Sequence, residues 1–497
     1  MPLMPDYAPA RPLFHAALQH PHRISLIEAC SGRTWTVSQA WESVCRMSAV
    51  FLSHGVKASD RVAIVAVNNP RHFIAHVALS LLGAVTVPLS PRLPDAQLEV
   101  LFTDCRPHLV ITDGQSQSRA CFSAWPTVTW DELDQALSGV QPWAGTITPR
   151  DHEIAAIVYT SGSTGLPRPI SLTHAHLWWA SVNFRDGFEY SPGINVVGVC
   201  APLSHIGGFN GTSMDVFTHG GTVVVFDSFN PVFILRAIER YEISMMFAVP
   251  AMCHAFLSAR EEAAADISSW TRPLIGGERM STHLAKRLHE WGLRPIHVWG
   301  MTETGGAGLM CSPDAQSAHP GAIGRPFPYV EERVVDDEGS PIHSPHVLGH
   351  LHVRGPGVVT SRADGWLDTG DMVHYDEGGF IHFVSRLSRL INTGGELVAP
   401  GVVEDAVRTL DSVADVLVLG IPNERWGQVV AALVVPDPAY ASNMQGLPSL
   451  QQIQQFTRDF LAPWQQPRLI RWVESLPTTS TGKPDPHAAR AYFDSAQ

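Results

Sequence analysis

The chain runs to 497 residues with a formal charge of −13, 45% hydrophobic and 16% charged residues; that is too long for one core and too apolar for disorder, so two or more globular domains are expected. The acidic balance, with no basic stripe, argues against a nucleic-acid surface. No apolar run reaches the roughly 18 residues of a membrane span, and the opening MPLMPDYAPARPLF lacks the parts of a signal peptide, so no membrane partner and a cytoplasmic setting are expected.

In chain order, VAIVAV (62–67) reads as a strand, PRHFIAHVALSLLGA (70–84) as a helix and VTVPLS (85–90) as a strand. PDAQLEVLFTDC (94–105) reads as a helix and HLVIT (108–112) as a strand. This rhythm implies βαβ units and a largely parallel, covered sheet. Then comes IAAIVYTSGSTGLPRP (154–169), a β-branched run ending in a loop of Ser, Thr and Gly. Glycine permits tight turns, so such a loop aims N–H groups and hydroxyls at one point, a geometry suited to a phosphate chain. It is not a Walker A motif, and by itself it also reads as a plain connection. T-H-A-H (173–176) opens a helical pattern and reads as surface.

The alternation continues through VVGVCAPL (196–203), GTVVVFD (221–227), a helix at PVFILRAIERY (231–241) and SMMFAVP (244–250). A β-rich region follows: EERVVDDEGSPI (331–342), GHLHVRG (349–355), GWLDTGD (365–371) and GFIHFVSR (379–386). From Leu390 the pattern is compact α+β: a helix at PGVVEDAVRTL (400–410), strands at VADVLVLG (413–420) and VVAALVV (429–435), a helix at LQQIQQFTRDFL (450–461) and a strand at RLIRWV (468–473). The expected fold is therefore α/β: a large N-terminal domain, 1–384, with βαβ-type sheets plus a β-rich subdomain, a hinge at SRLSR (385–389), and a small α+β domain, 390–497.

Seven cysteines (Cys30, Cys45, Cys105, Cys121, Cys200, Cys253 and Cys311) never fall in a C-x-x-C pair, which favours reduced thiols. Lysine is scarce: Lys57, Lys286 and Lys483 are the only three, where an ordinary protein of this size has roughly ten times as many. Lys57 and Lys286 lie in polar or helical stretches, whereas Lys483 sits in a small polar loop, LPTTSTGKPD. A lysine kept there fits a task needing a compact charge on a flexible stem, although some lysine had to remain somewhere.

The Ser/Gly loop, WGMTETGG (299–306), GWLDTGD (365–371), SRLSRLINTGGE (385–396) and TSTGK (479–483) occur in this order. Together they resemble the adenylate-forming (ANL) superfamily of acyl-CoA synthetases, peptide-synthetase adenylation domains and luciferases, over nearly the whole chain. The stretch 403–435 is also similar to the acyl-CoA synthetase C-terminal domain. The resemblance implies a mobile C-terminal lid and ATP with Mg²⁺ as cofactors. Thr160, Ser161, Gly162, Ser163, Thr164 and Gly165, with Arg168, would hold phosphates. Glu303 would hold the metal, with Thr302 near the α-phosphate; a carboxylate suits Mg²⁺, though Glu303 also reads as a helper in a Thr/Glu turn. Trp299, where the family has Tyr, would stack on adenine beside Gly300 and Met301, and Gly276, Gly277 and Glu278 would border adenine and the acyl group. Asp371 and Arg386 would reach the ribose, and Asp371 reads equally as a turn residue. Lys483 would stabilise charge developing at the α-phosphate. His205 and Gly207, with Phe247, Gly277, Gly305 and Gly306, would line the acid pocket, and His205 is also a candidate catalytic base for the second step.

Three departures stand out. The phosphate loop ends Pro167–Arg168–Pro169 where the family has Pro-Lys-Gly, Ser385 replaces a hinge glycine, and Ser388 an aspartate. No obvious basic cluster for the 3′-phosphate of CoA appears past Leu390, and the small residues at 305–308 suggest room for a flat, bulky aryl acid. These features favour the amide bond synthetases, with an acid and an amine as partners, and within them the chain resembles most the kind that joins β-carboline acids to amines in marinacarboline biosynthesis. Transfer to CoA is the alternative, favoured by NTGGELVAP, RWGQ and Trp426. An inactive acyl-adenylate sensor is a further, non-enzymatic reading.

Overall fold

β-branched runs flanked by amphipathic helices give parallel strands covered on both faces. The computed structural model describes residues 7–114, 119–148, 150–160, 167–437, 440, 446–478 and 484–493. β1 (Ile24–Glu28) and β2 (Thr34–Thr36) open the chain. β3 (Arg61–Val65), β4 (Val85–Leu89), β5 (Leu109–Thr112), β6 (Thr127–Thr129), β7 (Ile154–Thr160) and β8 (Arg168–Thr173) form a six-stranded sheet in the order β6-β5-β3-β4-β7-β8. It is parallel except where β8 returns against β7. β9 (Val196–Val199), β10 (Thr222–Val225), β11 (Met245–Ala248), β12 (Arg272–Gly276), β13 (Ile296–Trp299), β14 (Leu309–Cys311) and β15 (Arg325–Pro326) join β1 and β2 in a nine-stranded sheet.

The order of that second sheet, β15-β14-β13-β12-β11-β9-β10-β1-β2, positions the site. From β9 the chain passes to β10 on one side, then crosses over to lay β11, β12 and β13 on the other, all parallel. The order therefore reverses between β9 and β11, and in open α/β sheets ligands bind beyond the carboxyl ends of strands at such a point. Behind it lies a core of Phe226, Ile234, Ile238, Met246, Phe256 and Trp270.

β16 (Glu331–Val335), β17 (Pro341–Ile342), β18 (Gly349–Arg354), β19 (Leu367–Tyr375) and β20 (Ile381–Arg386) make a five-stranded sheet. The single run expected at 331–342 is two strands, because Asp336 to Ser340 form a turn closed by Gly339 N–H on Asp336 O at 3.0 Å. β21 (Ile391–Thr393), β22 (Glu396–Val398), β23 (Val413–Asn423), β24 (Gly427–Pro436) and β25 (Leu469–Trp472) form the last sheet, packed with the helix Pro400–Arg408 around Val403, Val407, Val418 and Val430.

The chain divides into two compact units, 1–332 with 353–367 and 333–352 with 368–497. By this division Asp371 and Arg386 belong to the second unit. Two early helices, Ala10–Gln19 and Val37–Ser53, were not anticipated. The second has a readable signal: Thr36 and Gln39 form a reciprocal capping box, with N–H to side-chain oxygen distances of 3.2 and 2.9 Å. The surface reading of T-H-A-H is corrected at His174: it opens the helix His174–Phe188 capped by Thr173, yet only 2% of it is exposed. The first turn of that helix is driven inward, and the His174 ring lies close enough to His76 to affect its titration. Among the described residues no helix is long and apolar enough to cross a membrane, and all seven cysteines are free thiols, only Cys30 exposed.

Candidate active site

The first unit brings four of the expected segments to one edge of the nine-stranded sheet. β9, β11, β12 and β13 run parallel, Phe247 pairing Leu274 and Gly276 pairing Val298 in register. Their carboxyl ends therefore deliver, side by side, the turn carrying His205, the Phe247 side chain, Gly276 with Gly277 and Glu278, and Trp299 with the segment to Glu303. The imidazole of His297 on β13 is buried, and burial holds its pKa below the ordinary value.

The Thr302–Thr304 segment is a single 3₁₀ turn. Met301 N–H donates to Thr304 Oγ1 at 3.1 Å, and the N–H groups of Gly305 and Gly306 donate to the carbonyls of Thr302 and Met301, each at 3.0 Å. Val359 N–H bonds the Glu303 carbonyl at 2.7 Å, tying the turn to the segment after β18. The Glu303 side chain is half-buried and makes no ion pair among the described residues. Gly305 and Gly306 have φ of 62° and 91°, a region other residues rarely adopt, so the turn requires them. They are explained without invoking room for a bulky acid.

Phe247 stands between two glycines. A Cβ on Gly207 would come within 3.0 Å of its ring, and one on Gly276 within 3.1 Å. Beside it lies a small cavity of about 10 Å³, also bordered by Val197–Val199 and by the helix Gly211–Thr218. The turn bearing His205 is fixed by a residue that the sequence reading missed. Asn68, just past β3, donates from Nδ2 to the Ala201 carbonyl at 2.9 Å and accepts from Leu203 N–H at 2.8 Å. That one amide ties the carboxyl edge of the first sheet to that of the second. The signal was present in N-N-P (68–70), an amide-rich stop directly after a strand. Beneath this edge the imidazoles are buried: burial pushes His76 down to about 3 and both His72 and His174 to about 4.

Thr160 ends β7 and Arg168 opens β8, and the two are cross-strand partners with Thr160 Oγ1 3.4 Å from the Arg168 carbonyl. The connection thus leaves and re-enters at the carboxyl end of β7. Ser161, Gly162, Ser163, Thr164 and Gly165 lie outside the described residues. Pro169, the departure at the loop exit, sits on β8 at the edge of its sheet, where a missing N–H is tolerated.

In the second unit Asp371 and Arg386 face one another across β19 and β20, with Arg386 Nε 2.9 Å from Asp371 Oδ1. The Asp371 carboxylate is 1% exposed and the guanidinium 48%, so the acid is fixed and the base reaches solvent. Ser385 is buried and donates to the Arg386 carbonyl at 3.1 Å. Arg389, at the far end of the expected hinge, is held to Glu404 at 3.0 Å. Lys483 lies outside the described residues; on either side of its loop Thr478 pairs with Pro484, and Asp485 N–H bonds the Pro477 carbonyl at 2.8 Å. The same unit contains a cationic cluster that the sequence reading did not find. The guanidiniums of Arg425 and Arg468 stand 4.9 and 5.2 Å from the Trp426 ring centroid, favourable cation–π distances. These arginines are far apart in sequence, and only the β24–β25 pairing brings them together.

The profile of the AMP-binding enzyme family matches residues 13–361, and that of the AMP-binding enzyme C-terminal domain matches 402–483. A feruloyl-CoA synthase of Amycolatopsis sp is 30% identical over 471 residues, covering 91% of this chain and 92% of that protein. The solved o-succinylbenzoate CoA synthetase of Bacillus subtilis, in complex with its acyl-adenylate intermediate, superposes with a TM-score of 0.85 at 25% identity over 98% of both chains. The same enzyme with ATP and magnesium ion gives 0.84 at 25% identity, covering 97% of this chain and 98% of that one. These likenesses bear out the adenylate-forming resemblance and the fold of a large N-terminal and a small C-terminal domain.

Proposed function

The chain belongs to the AMP-binding enzyme family, and from that premise we propose that it is an AMP-forming ligase that activates a carboxylic acid with ATP and passes the acyl group to the thiol of CoA. In the first step a carboxylate oxygen attacks the α-phosphorus and pyrophosphate leaves. In the second the CoA sulfur attacks the acyl carbon, AMP leaves and the thiol proton is released. Both steps bring anions together, so positive charge must be placed where negative charge develops.

In the first unit, Thr160 and Arg168 bracket the phosphate loop, Trp299 takes the adenine and Thr302 the α-phosphate. Glu303, a single carboxylate with no competing ion pair among the described residues, suits Mg²⁺, which favours one or two protein carboxylates plus phosphate oxygens. Bound there, the ion would neutralise charge on the leaving pyrophosphate. In the second unit, Asp371 accepts from the ribose hydroxyls, Arg386 assists it, and Lys483 serves the first step. A lid that pivots at 385–389 and carries Lys483 away before the second step belongs to the same proposal.

The observation that carries the choice of acceptor is the pair of guanidiniums on Trp426. It supplies a cationic, aromatic surface suited to an anionic cofactor with a purine, the feature whose apparent absence had favoured an amine. The relative with the matching length is named as a CoA synthase. Of the small residues after the TET turn, the other argument for an amide bond synthetase, Gly305 and Gly306 answer to backbone conformation, and a Cβ on Gly308 would run into the Trp299 ring. The test is a mass-spectrometric product assay with ATP and a panel of aryl acids, offering CoA and simple amines separately. Acyl-CoA and AMP with CoA are expected. Amide formed in the absence of CoA, with no thioester on adding it, would restore the amide reading.

A further inference from the structure

The cavity beside Phe247 has a polar floor that no role assigned so far uses. It extends from Ala201, past the end of β9, down to Val197 near that strand's beginning. Val197 lies at the end of β9 remote from the edge where phosphates would be read, so this lining leads away from that edge. Its walls are apolar: Val197, Val199 and the Phe247 ring. On the helix side stand two hydroxyls, Thr212 and Ser213, 5% and 3% exposed.

A helical hydroxyl normally bonds back to a carbonyl one turn earlier. In this same helix Thr218 does so, to Met214 O at 2.9 Å and to Asp215 O at 3.2 Å. Ser213 makes two long bonds, to the carbonyls of Gly208 at 3.2 Å and Asn210 at 3.3 Å, sharing one proton between them and leaving its lone pairs to accept. Thr212 has no side-chain hydrogen bond among the described residues and lines the cavity. Its hydroxyl is open to the cavity, where a polar group placed beside it would supply a partner. One turn further on the helix is tied down by Asp215, which accepts from Tyr190 and pairs with Arg185. As it stands the space of about 10 Å³ admits one water at most.

We propose that the acid taken by this site carries a hydrogen-bonding group, a hydroxyl or carbonyl, at the end remote from its carboxylate, and that Thr212, with Ser213, reads that group. The inference rests on the reading of Gly207 and Phe247 as walls of the acid pocket. The carboxylate must stay near the sheet edge where Thr302 and Glu303 stand, so the part of the molecule that passes Phe247 towards Val197 is its far end. A plain hydrocarbon tail would leave the Thr212 hydroxyl unpaired. An acid with a terminal hydroxyl completes it, and sites built on such a bond reject the analogue that lacks it.

The experiment compares 4-hydroxycinnamic acid with cinnamic acid on the full chain and its Thr212→Val and Thr212→Ser variants, reading kcat/KM from AMP release and affinity by calorimetry without ATP. The wild type is expected to favour the hydroxylated acid at least about tenfold in both readouts, Thr212→Val to lose most of that ratio, and Thr212→Ser to restore it. A ratio unchanged in Thr212→Val, or a wild-type preference for cinnamic acid, overturns the inference. If neither acid nor any in a wider panel releases AMP, the proposed ligase activity fails instead. The calorimetric ratio then still decides whether Thr212 reads the hydroxyl.

Discussion

The pocket proposed for the acid and the cationic patch on Trp426 would recognise by different physics. In the first unit Phe247 sits between Gly207 and Gly276 with no space to spare, so the pocket proposed there would select by shape and by a hydroxyl or two. In the second unit Asp371 pairs with Arg386, and Arg425 and Arg468 crowd one indole, so that surface selects by charge. Shape is built from strands that end side by side and is indifferent to salt. Charge is built from residues distant in sequence and is screened within about 10 Å at ordinary ionic strength. The contrast suits an enzyme whose acid is specific and whose nucleotide-bearing partners are general.

The contrast breaks first at Lys483. Lys483→Ala is expected to slow acid-dependent pyrophosphate exchange by about 10²–10³, the usual effect of removing one preorganised charge. Exchange at full speed in a folded variant would take the charged half of the mechanism away. Asp371→Ala comes next. Removing the carboxylate paired with Arg386 should raise KM for ATP at least about tenfold and lower stability by no more than about 1 kcal/mol, because the guanidinium left behind is 48% exposed and solvated; steady-state kinetics and urea midpoints read the two separately.

Acid should weaken the shape-built half. Burial holds His72 and His174 at about 4 and His76 at about 3 in the folded chain, against about 6.5 when unfolded. Between those values the unfolded chain takes up protons that the folded chain refuses. Stability is therefore full above about pH 6.5 and falls towards pH 4, by on the order of 2 kcal/mol for each histidine. Urea midpoints at pH 7.5 and 5 measure this, and equal values would refute it. Asn68→Ala should cost about 1–2 kcal/mol through its two lost bonds and raise KM for the acid while leaving KM for ATP alone; a change in the ATP value alone would contradict the assignment of this turn to the acid. The smallest effect sharpens the comparison most cleanly: raising salt to about 0.5 M should weaken CoA a few-fold and the acid hardly at all.

Much of this was legible in the sequence. Period and composition located β3, β4, β5 and β9–β11 to within a few residues, because parallel strands buried on both faces are written as continuous apolar runs, whereas β12 and β13 went unread. The motifs singled out Trp299, Glu303 and Asp371 from local sequence, and the structure sets Trp299 at the end of β13, Glu303 in a 3₁₀ turn and Asp371 on β19. Contacts that join distant segments were not legible. Asn68 meets Ala201 and Leu203 across more than a hundred residues, and Arg468 reaches Trp426 only through a strand pairing. The glycines after the TET turn show the opposite hazard: their sequence suggested space, whereas their positive φ shows a demand of the backbone.

The most direct test of adenylation is isotope exchange. With ATP, magnesium, labelled pyrophosphate and a panel of aryl acids, label should enter ATP only when an accepted acid is present and without any acyl acceptor. Label that enters without acid, or with none of the acids, would contradict the account.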